Sequence, residues 1–252
     1  MSIEINGKEI FVGGIINNFD EDLLRRTQIR KTIIEHFEKE RILNPQGIKV
    51  LSLFFIDKVA NYRGWEGDAL VDGKFLTWFE EEYQQIAKDV RYSENVGIKD
   101  PVSKVHQGYF AEDNKKHFKN TKGDSADDIK AYESIMSDKE YLLSFKNPIR
   151  FIFSHSALRE GWDNPNVFQI CTLNENSKSN DKKRQEIGRG LRLCVNQDGD
   201  HVYGFETNTL TVMANQSYED FAKQLQTETE KDGGFKFGNI EYLSFAGISL
   251  EG

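Results

Sequence analysis

The chain has 252 residues, of which 38% are hydrophobic and 29% are charged, and this balance is typical of a globular protein. The formal net charge of −8 argues against a freestanding nucleic-acid binder, although it does not exclude a local basic surface. The longest apolar run, Val50 to Ile56, is too short to cross a bilayer, and Cys171 and Cys194 give neither a disulfide framework nor a zinc spacing. The start of the chain lacks a secretory leader pattern, so a cytoplasmic location is expected.

The first half of the chain predicts a helix followed by a buried strand. Residues 20–41 alternate apolar and charged side chains at helical spacing, and Asn44-Pro45 ends that pattern. The run "GIKVLSLFFID" at 47–57 is continuously apolar, which is typical of a strand buried on both faces of a parallel sheet. The segments predicted next are a polar stretch at about 62–102 with a helix at 77–87, and a strand running into a loop at 104–113.

The second half predicts alternating helices and strands. A helical pattern at 129–143 precedes the apolar runs, and an amphipathic helix at 218–231 leads to a glycine-rich tail. The predicted strands lie in "IRFIFSHSAL" (149–158), "VFQICTL" (167–173), "HVYGFET" (201–207) and "TLTVMAN" (209–215). Strands that alternate with helical patterns indicate an α/β fold, in which helices flank a mostly parallel sheet.

The stretch "RQEIGRGLRL" at 184–193 combines arginines with glycines. Gln185, Arg189 and Arg192 recur at i, i+4 and i+7, so a helix would place them on one face. Gly188 and Gly190 would each cost roughly 1 kcal/mol against alanine, and close backbone approach to a neighbouring element or a ligand is the usual compensation. Two guanidinium groups on such a face suit a polyphosphate. A surface helix whose arginines pair with carboxylates is the alternative that this segment alone leaves open.

A second polar segment, "REGWDNPNV", stands between two predicted strands. Gly161 and Asp163 are expected in a turn, and Pro165 redirects the chain into the next strand. The Asp163 carboxylate would accept a ribose hydroxyl or hold a neighbouring arginine, although a turn residue with no further role explains it equally well in isolation. Ligands of parallel sheets bind beyond the carboxyl ends of the strands. Because this segment and the arginine segment each follow a predicted strand, both are expected at one edge of the sheet.

Taken together, the two segments resemble the second RecA-like lobe of superfamily-two helicases and translocases. The residues that match the fifth motif of that family are Gly161, Asp163 and Pro165, and those that match the sixth are Gln185, Gly188, Arg189 and Arg192. A closer resemblance is to the restriction (Res) subunit of type III restriction-modification enzymes. It is carried by "ALREGWDNPNVFQICTLNE…KRQEIGRGLRL", "GIKVLSLFFIDKVANYR", "VHQGYF" and "LTVMANQSYEDFA", and so covers nearly the whole chain.

The resemblance implies a nucleotide site shared between two lobes. ATP would bind against the first RecA-like lobe of the same polypeptide, which holds the phosphates and Mg²⁺. Arg189 and Arg192 would act as arginine fingers on the β- and γ-phosphates, and Gln185 would position the nucleotide or the attacking water. The expected ATP-binding residues of this lobe are Gly161, Asp163 and Gly188.

The resemblance also implies a DNA partner and a protein partner. The enzyme would move along duplex DNA by ATP hydrolysis and cleave it together with a methyltransferase (Mod) subunit. The residues expected at the DNA are Ser154, Ser156 and His106, with a buried structural role weighed equally for His106. The implied division is a lead-in segment with the first helix at 1–45, the lobe with motifs IV to VI at 46–232, which includes the polar insertion at about 62–102, and a tail at 233–252.

Several catalytic motifs of a complete enzyme are not found in the sequence. "GDALVDGKF" at 67–75 has one residue too many between its glycines for a phosphate-binding loop, and Phe75 replaces the required hydroxyl. "FDEDLL" at 19–24 fits a helix start better than a Mg²⁺-binding acidic box. No Pro-Asp nuclease constellation is present. The chain by itself is therefore expected to lack ATPase and nuclease activity. The alternatives are a lobe of a type I restriction motor or another duplex-DNA translocase, or a non-catalytic docking module.

Overall fold

The structure is a computed structural model that describes part of the chain. The described residues are 2–5, 8–11, 21–67, 69–95, 98–112, 118–119, 139–155, 164–173, 188, 190, 192–213 and 227. The helices are α1 Glu21–Leu43, α2 Lys74–Ile86, α3 Val102–Val105 and α4 Lys139–Leu143. The strands are β1 Ser2–Ile5, β2 Lys8–Phe11, β3 Leu51–Phe55, β4 Arg63–Glu66, β5 Ala69–Asp72, β6 His106–Tyr109, β7 Ala111–Glu112, β8 Phe118–Lys119, β9 Phe151–Ser154, β10 Val167–Thr172 and β11 Thr211–Met213.

A five-stranded parallel sheet organises the fold. Its order is β11-β10-β3-β9-β6, and each neighbouring pair is parallel. Every residue of β3, β9 and β10 is buried, because side chains on both faces of these strands are covered. The other described strands form the antiparallel hairpins β1–β2, β4–β5 and β7–β8. The predicted α/β class with a mostly parallel sheet is confirmed.

Helices cover the two faces of the sheet with separate apolar clusters. On one face, Ile33 and Phe37 of α1 and Phe79 of α2 pack with Phe54 and Phe153 of the sheet. Each fully buried side chain of this size stabilises the fold by roughly 1.5–3 kcal/mol relative to an exposed one. On the other face, the cluster includes residues of α4 and of the sheet, among them Leu142, Leu51, Leu53 and Ile152.

The predicted first helix is confirmed, with small changes at its ends. α1 starts with Glu21 and Asp22 in its first turn, where carboxylates interact favourably with the free backbone N–H groups. Residues 21–24 of "FDEDLL" therefore start a helix, as expected. The helix ends at Leu43, and Gly47 reverses the chain toward β3 with a left-handed φ of 72°.

Most of the other predicted elements are found where the patterns place them. The helix at 77–87 corresponds to α2, the run at 47–57 contains β3, and the segment at 104–113 contains β6. β9, β10 and β11 lie in the runs at 149–158, 167–173 and 209–215. Of the helix predicted at 129–143, the structure describes only α4. The final helix at 218–231 lies outside the described residues except for Thr227, which is helical.

The strand predicted for "HVYGFET" is wrong. Residues 202–204 have no regular secondary structure and 205–207 form a turn. Tyr203 and Phe205 are 73% and 77% exposed instead of packing on a sheet. The Asn208 side chain provides the physical reason, because its amide donates to the carbonyls of Val202 at 2.8 Å and Gly204 at 3.0 Å. This side chain takes the place of a neighbouring strand as the hydrogen-bond partner of those carbonyls.

Candidate functional site

The parallel sheet brings the ends of β9 and β10 to one edge. In the register of the sheet, Ser154 at the end of β9 lies beside Phe55 of β3, and Phe55 lies beside Thr172 at the end of β10. The fifth-motif segment (161–165) follows β9, and the sixth-motif segment (185–192) follows β10. The chain therefore leaves β9 and β10 at the same carboxyl edge, on either side of β3. The described ends of the two segments lie near the opposite edge, because Asn164 shortly precedes β10 and Gly190 packs against Leu210, which directly precedes β11.

Ser154 is buried at this edge. The residue is 2% exposed, and its carbonyl accepts a 2.9 Å hydrogen bond from the Ile56 backbone N–H. A DNA contact by Ser154 stays a prediction. Ser156, the second hydroxyl predicted at the DNA, lies outside the described residues.

His106 lies away from Ser154. It starts β6 and pairs in register with Phe151, whereas Ser154 lies beside Tyr109 at the other end of the strands. The ring is 5% exposed, with Tyr62 Oη 2.9 Å from Nδ1 and Glu80 Oε1 3.1 Å from Nε2. Burial lowers the pKa of His106, and Glu80 only partly offsets this effect. A DNA contact by His106 stays a prediction that would require the ring to exchange these partners.

The structure describes part of the sixth-motif segment. Gly188 has helical backbone, and Arg192, the last residue of the segment, is exposed. A Cβ on Gly190 would lie 2.3 Å from Leu210 Cδ1, whereas a Cβ on Gly188 would meet no described atom within 4 Å. The close approach expected for the glycines is thus present at Gly190, with Leu210 as the neighbour. The remaining predicted residues, Gln185, Arg189, Gly161 and Asp163, lie outside the described residues.

Asn166 connects the chain after the fifth-motif segment to the chain after the sixth. Its side-chain Oδ1 accepts from the Val195 N–H, and its Nδ2 donates to the Val195 carbonyl, both at 2.9 Å. The Asn164 side chain accepts from the Asn166 N–H at 3.1 Å and so stabilises the turn that presents it. The sequence of "DNPNV" predicted a turn with Asp163 as a candidate ligand contact, but not this link. Two asparagines flanking a proline were the available signal, because their side chains readily bind nearby backbone groups.

A polar stripe on α1 faces the amino-terminal ends of the strands. His36 Nδ1 lies 2.8 Å from Ser52 Oγ, which donates to Gln169 Oε1 at 2.7 Å. One turn along the helix, Glu40 forms an ion pair with Arg150, and both side chains are buried. Burial lowers the pKa of His36, against the opposing effect of Glu40. The pattern of apolar side chains predicted α1 but gave no sign of this stripe.

No metal centre is formed by the part of the chain that the structure describes, since no three His, Cys, Asp or Glu side chains there converge on one point. Cys171 and Cys194 are both buried free thiols. None of the described helices is long and apolar enough to cross a membrane.

The arrangement defines a class of protein. A five-stranded parallel sheet flanked by helices is a RecA-like α/β arrangement, which is consistent with a helicase lobe.

Comparison with curated proteins gives the relationship a name, although no protein-family model matches the chain. The chain is 46% identical over 205 residues to the type III restriction-modification enzyme EcoPI Res subunit of Escherichia phage P1, a match covering 76% of the chain. It is 43% identical over 204 residues to the EcoP15I Res subunit of Escherichia coli, which also covers 76% of the chain. The StyLTI Res subunit of Salmonella typhimurium is 35% identical over 251 residues, or 88% of the chain.

The chain is therefore homologous to part of the Res subunit of type III restriction-modification enzymes, and the resemblance predicted from the sequence is confirmed. It spans only about a fifth to a quarter of these relatives, since the matches cover 20%, 20% and 24% of their lengths.

Proposed function

We propose that this chain is the C-terminal RecA-like motor lobe of a type III restriction endonuclease. In this proposal it belongs to an ATP-dependent duplex-DNA translocase and completes an ATP site whose phosphates and Mg²⁺ are held by a first RecA-like lobe. The homology to three Res subunits, combined with the five-stranded parallel sheet flanked by helices, supports the proposal. All three relatives are type III enzymes, which favours this over a type I motor.

The chemistry of the proposed site depends on positive charge supplied across a cleft. Arg189 and Arg192 would stabilise the charge that develops on the γ-phosphate, and Gln185 would orient the nucleotide or water. Gly188 would allow the nucleotide to approach the backbone, and Asp163 would hold the ribose or an arginine. Gly190, packed on Leu210, would fix the helix against this lobe rather than contact the nucleotide.

The proposed DNA surface is the carboxyl edge at the ends of β9 and β3. Ser154 and Ser156 would contact backbone phosphates, and His106 would act only after a rearrangement of β6. Sequence recognition would come from a methyltransferase subunit, because backbone contacts by hydroxyl groups position a duplex without identifying bases.

A comparison of two ATPase assays tests the proposal. The chain alone should hydrolyse no ATP and bind it weakly, because it would supply half of a shared site. The complete Res polypeptide with its methyltransferase subunit should hydrolyse ATP when duplex DNA is added. If the complete polypeptide shows no ATPase under these conditions, the motor assignment is wrong and a non-catalytic docking module becomes the better account.

A further inference from the structure

Arg25 is a buried cation near the carboxyl edge of the sheet. Along α1, Glu40 pairs with Arg150 just before β9, whereas Thr32 contacts Cys171 near the end of β10. The helix therefore runs antiparallel to the strands, and Arg25 lies about 10 Å beyond Thr32 toward the carboxyl edge. Arg25 is only 6% exposed.

The positive charge of the Arg25 guanidinium is not balanced by an anion among the described residues. Its Nη1 donates to Gln28 Oε1 at 3.1 Å, and its buried Nε has no hydrogen-bond partner. Among the ion pairs of the described residues, none includes Arg25. The adjacent Arg26, by contrast, pairs with Glu81 at 2.9 Å and Glu82 at 2.7 Å. A buried cation without an anion is unfavourable, so its presence indicates a missing negative partner.

The neighbouring sheet does not supply that negative charge. Cys171 is the titratable group of β10 that Arg25 acts on, and burial raises the pKa of its thiol to about 12, with Arg25 only partly opposing the rise. The thiol is therefore neutral at ordinary pH. Asp22, one turn before Arg25, has its carboxylate 2.7 Å from Lys74 Nζ.

The donor geometry around Arg25 fits an oxyanion. With Nη1 bound to Gln28, the guanidinium retains its Nε and Nη2 edge, which offers two parallel N–H donors of the kind that bind phosphate oxygens bidentately. Gln28 is 8% exposed, and since its Oε1 accepts from Arg25, its amide nitrogen is left as a further donor beside the same edge.

We propose that Arg25 and Gln28 form a phosphate-binding site on the α1 face of the carboxyl edge. The ligand is a phosphate group, either of a nucleotide or of a DNA backbone, and this choice of sources rests on the proposed function. α4 and the Gly190–Leu210 contact belong to the opposite face of the sheet, so this site is separate from the contact made by the sixth-motif segment.

Thermal unfolding of the chain tests the site without any turnover. In phosphate-free buffer, Arg25→Met should unfold at the same temperature as the wild type or higher, because the variant loses an unpaired buried charge. Pyrophosphate at a hundredfold excess over its Kd should raise the wild-type midpoint by on the order of 5 °C and leave Arg25→Met unchanged. Arg26→Met is the matched control and should retain the full pyrophosphate response.

One further variant keeps the test valid if Arg25→Met misfolds, and two further ligands identify the source of the phosphate. Arg25→Lys keeps the charge but loses the two-donor edge, and should bind pyrophosphate at least tenfold more weakly while staying folded. ATP and a short DNA duplex, each titrated at matched ionic strength, identify which source gives the Arg25-dependent shift. An Arg25→Met protein that is destabilised without phosphate yet responds normally to pyrophosphate would overturn the proposal, as would a wild type that responds to none of the three probes. Because no hydrolysis is measured, failure of the ATPase assay would refute the motor assignment and leave the phosphate site intact.

Discussion

Glu40 in α1 and Arg150 at the start of β9 form an ion pair whose side chains are only 1% and 3% exposed. The pair joins residues that are 110 positions apart in the chain. Burial by itself would raise the pKa of Glu40, but Arg150 and His36 outweigh it, and the pKa of Glu40 lies below its usual value. Arg150 also donates to Tyr83 Oη at 3.3 Å, so α1, α2 and β9 meet at this contact.

Breaking this pair on one side should be costly. Arg150→Met would leave the Glu40 carboxylate buried and unpaired, and should reduce the free energy of unfolding by about 3–5 kcal/mol. Combining Arg150→Met with Glu40→Met should recover a large part of the loss, because both charges are then removed. Urea unfolding of the two single variants and the double variant measures the coupling. If the losses of the two single variants add up to the loss of the double variant, the two charges do not stabilise each other.

The lowered pKa of Glu40 indicates that the protein loses stability in acid. The folded pKa of Glu40 is lowered from 4.5, so its contribution is fully present above that pH and is lost as the pH falls through the lower, folded value. The wild type should therefore lose more stability than Glu40→Gln when the pH is lowered below 4.5. If the free energy of unfolding falls equally with pH in the two proteins across that range, Glu40 does not titrate in this way.

Lys49 predicts a pH effect at the alkaline side of neutrality. Lys49 is only 2% exposed, and its Nζ donates to the carbonyls of Ser144 at 2.9 Å and Asn147 at 2.7 Å. Burial, reinforced by Arg150, lowers the pKa of Lys49 from 10.5 to about 7. Between these values the unfolded chain binds a proton that the folded chain does not, so stability should rise with pH by up to about 1.4 kcal/mol per unit.

Two lysine variants isolate this effect. Lys49→Met should remove the rise in unfolding free energy across pH 7 to 10.5, the window set by the two pKa values. The exposed Lys146→Met is the control and should keep it. An unchanged slope in Lys49→Met would assign the effect to another group.

Gly190 and Gly188 should respond differently to alanine. A Cβ at Gly190 would overlap Leu210, so Gly190→Ala should cost about 1–3 kcal/mol. Gly188→Ala meets no described atom and should be neutral or stabilising by up to about 1 kcal/mol. Adding Leu210→Ala should relieve the strain of Gly190→Ala, as chemical denaturation would show. Equal costs at both glycines would contradict the assigned packing.

The sequence allowed the sheet to be predicted because its central strands are buried on both faces. Runs such as "VLSLFFI" and "VFQICTL" carry few polar groups, which fits a parallel strand covered by helices on each side. The failure at "HVYGFET" has a local cause, since Tyr203 and Phe205 have the composition of a strand but Asn208 satisfies the nearby carbonyls within the loop.

The buried polar contacts could not be predicted from spacing. Arg150 and Glu40 meet only because β9 lies beside β3 and α1 packs antiparallel against the sheet, and no short-range pattern encodes this packing. Arg25 likewise resembles its neighbour Arg26 in the sequence, although one is buried without an anion and the other is paired on the surface. The common edge at which β9 and β10 end was predictable from a parallel sheet, whereas the contact of Asn166 with Val195 near the start of β10 was not.

The most direct measurement of the central claim is DNA-stimulated ATP hydrolysis by the complete Res polypeptide with its methyltransferase subunit, comparing wild type with Arg189→Ala. Arg91→Ala is the matched control, because Arg91 is an exposed arginine already paired with Asp89 at 2.7 Å. An arginine finger is typically worth a factor of about 10³–10⁵ in rate, so a folded Arg189→Ala enzyme should lose at least roughly a thousandfold in turnover while Arg91→Ala keeps it. Unchanged turnover in Arg189→Ala would contradict the proposed role of the sixth-motif segment at the ATP phosphates.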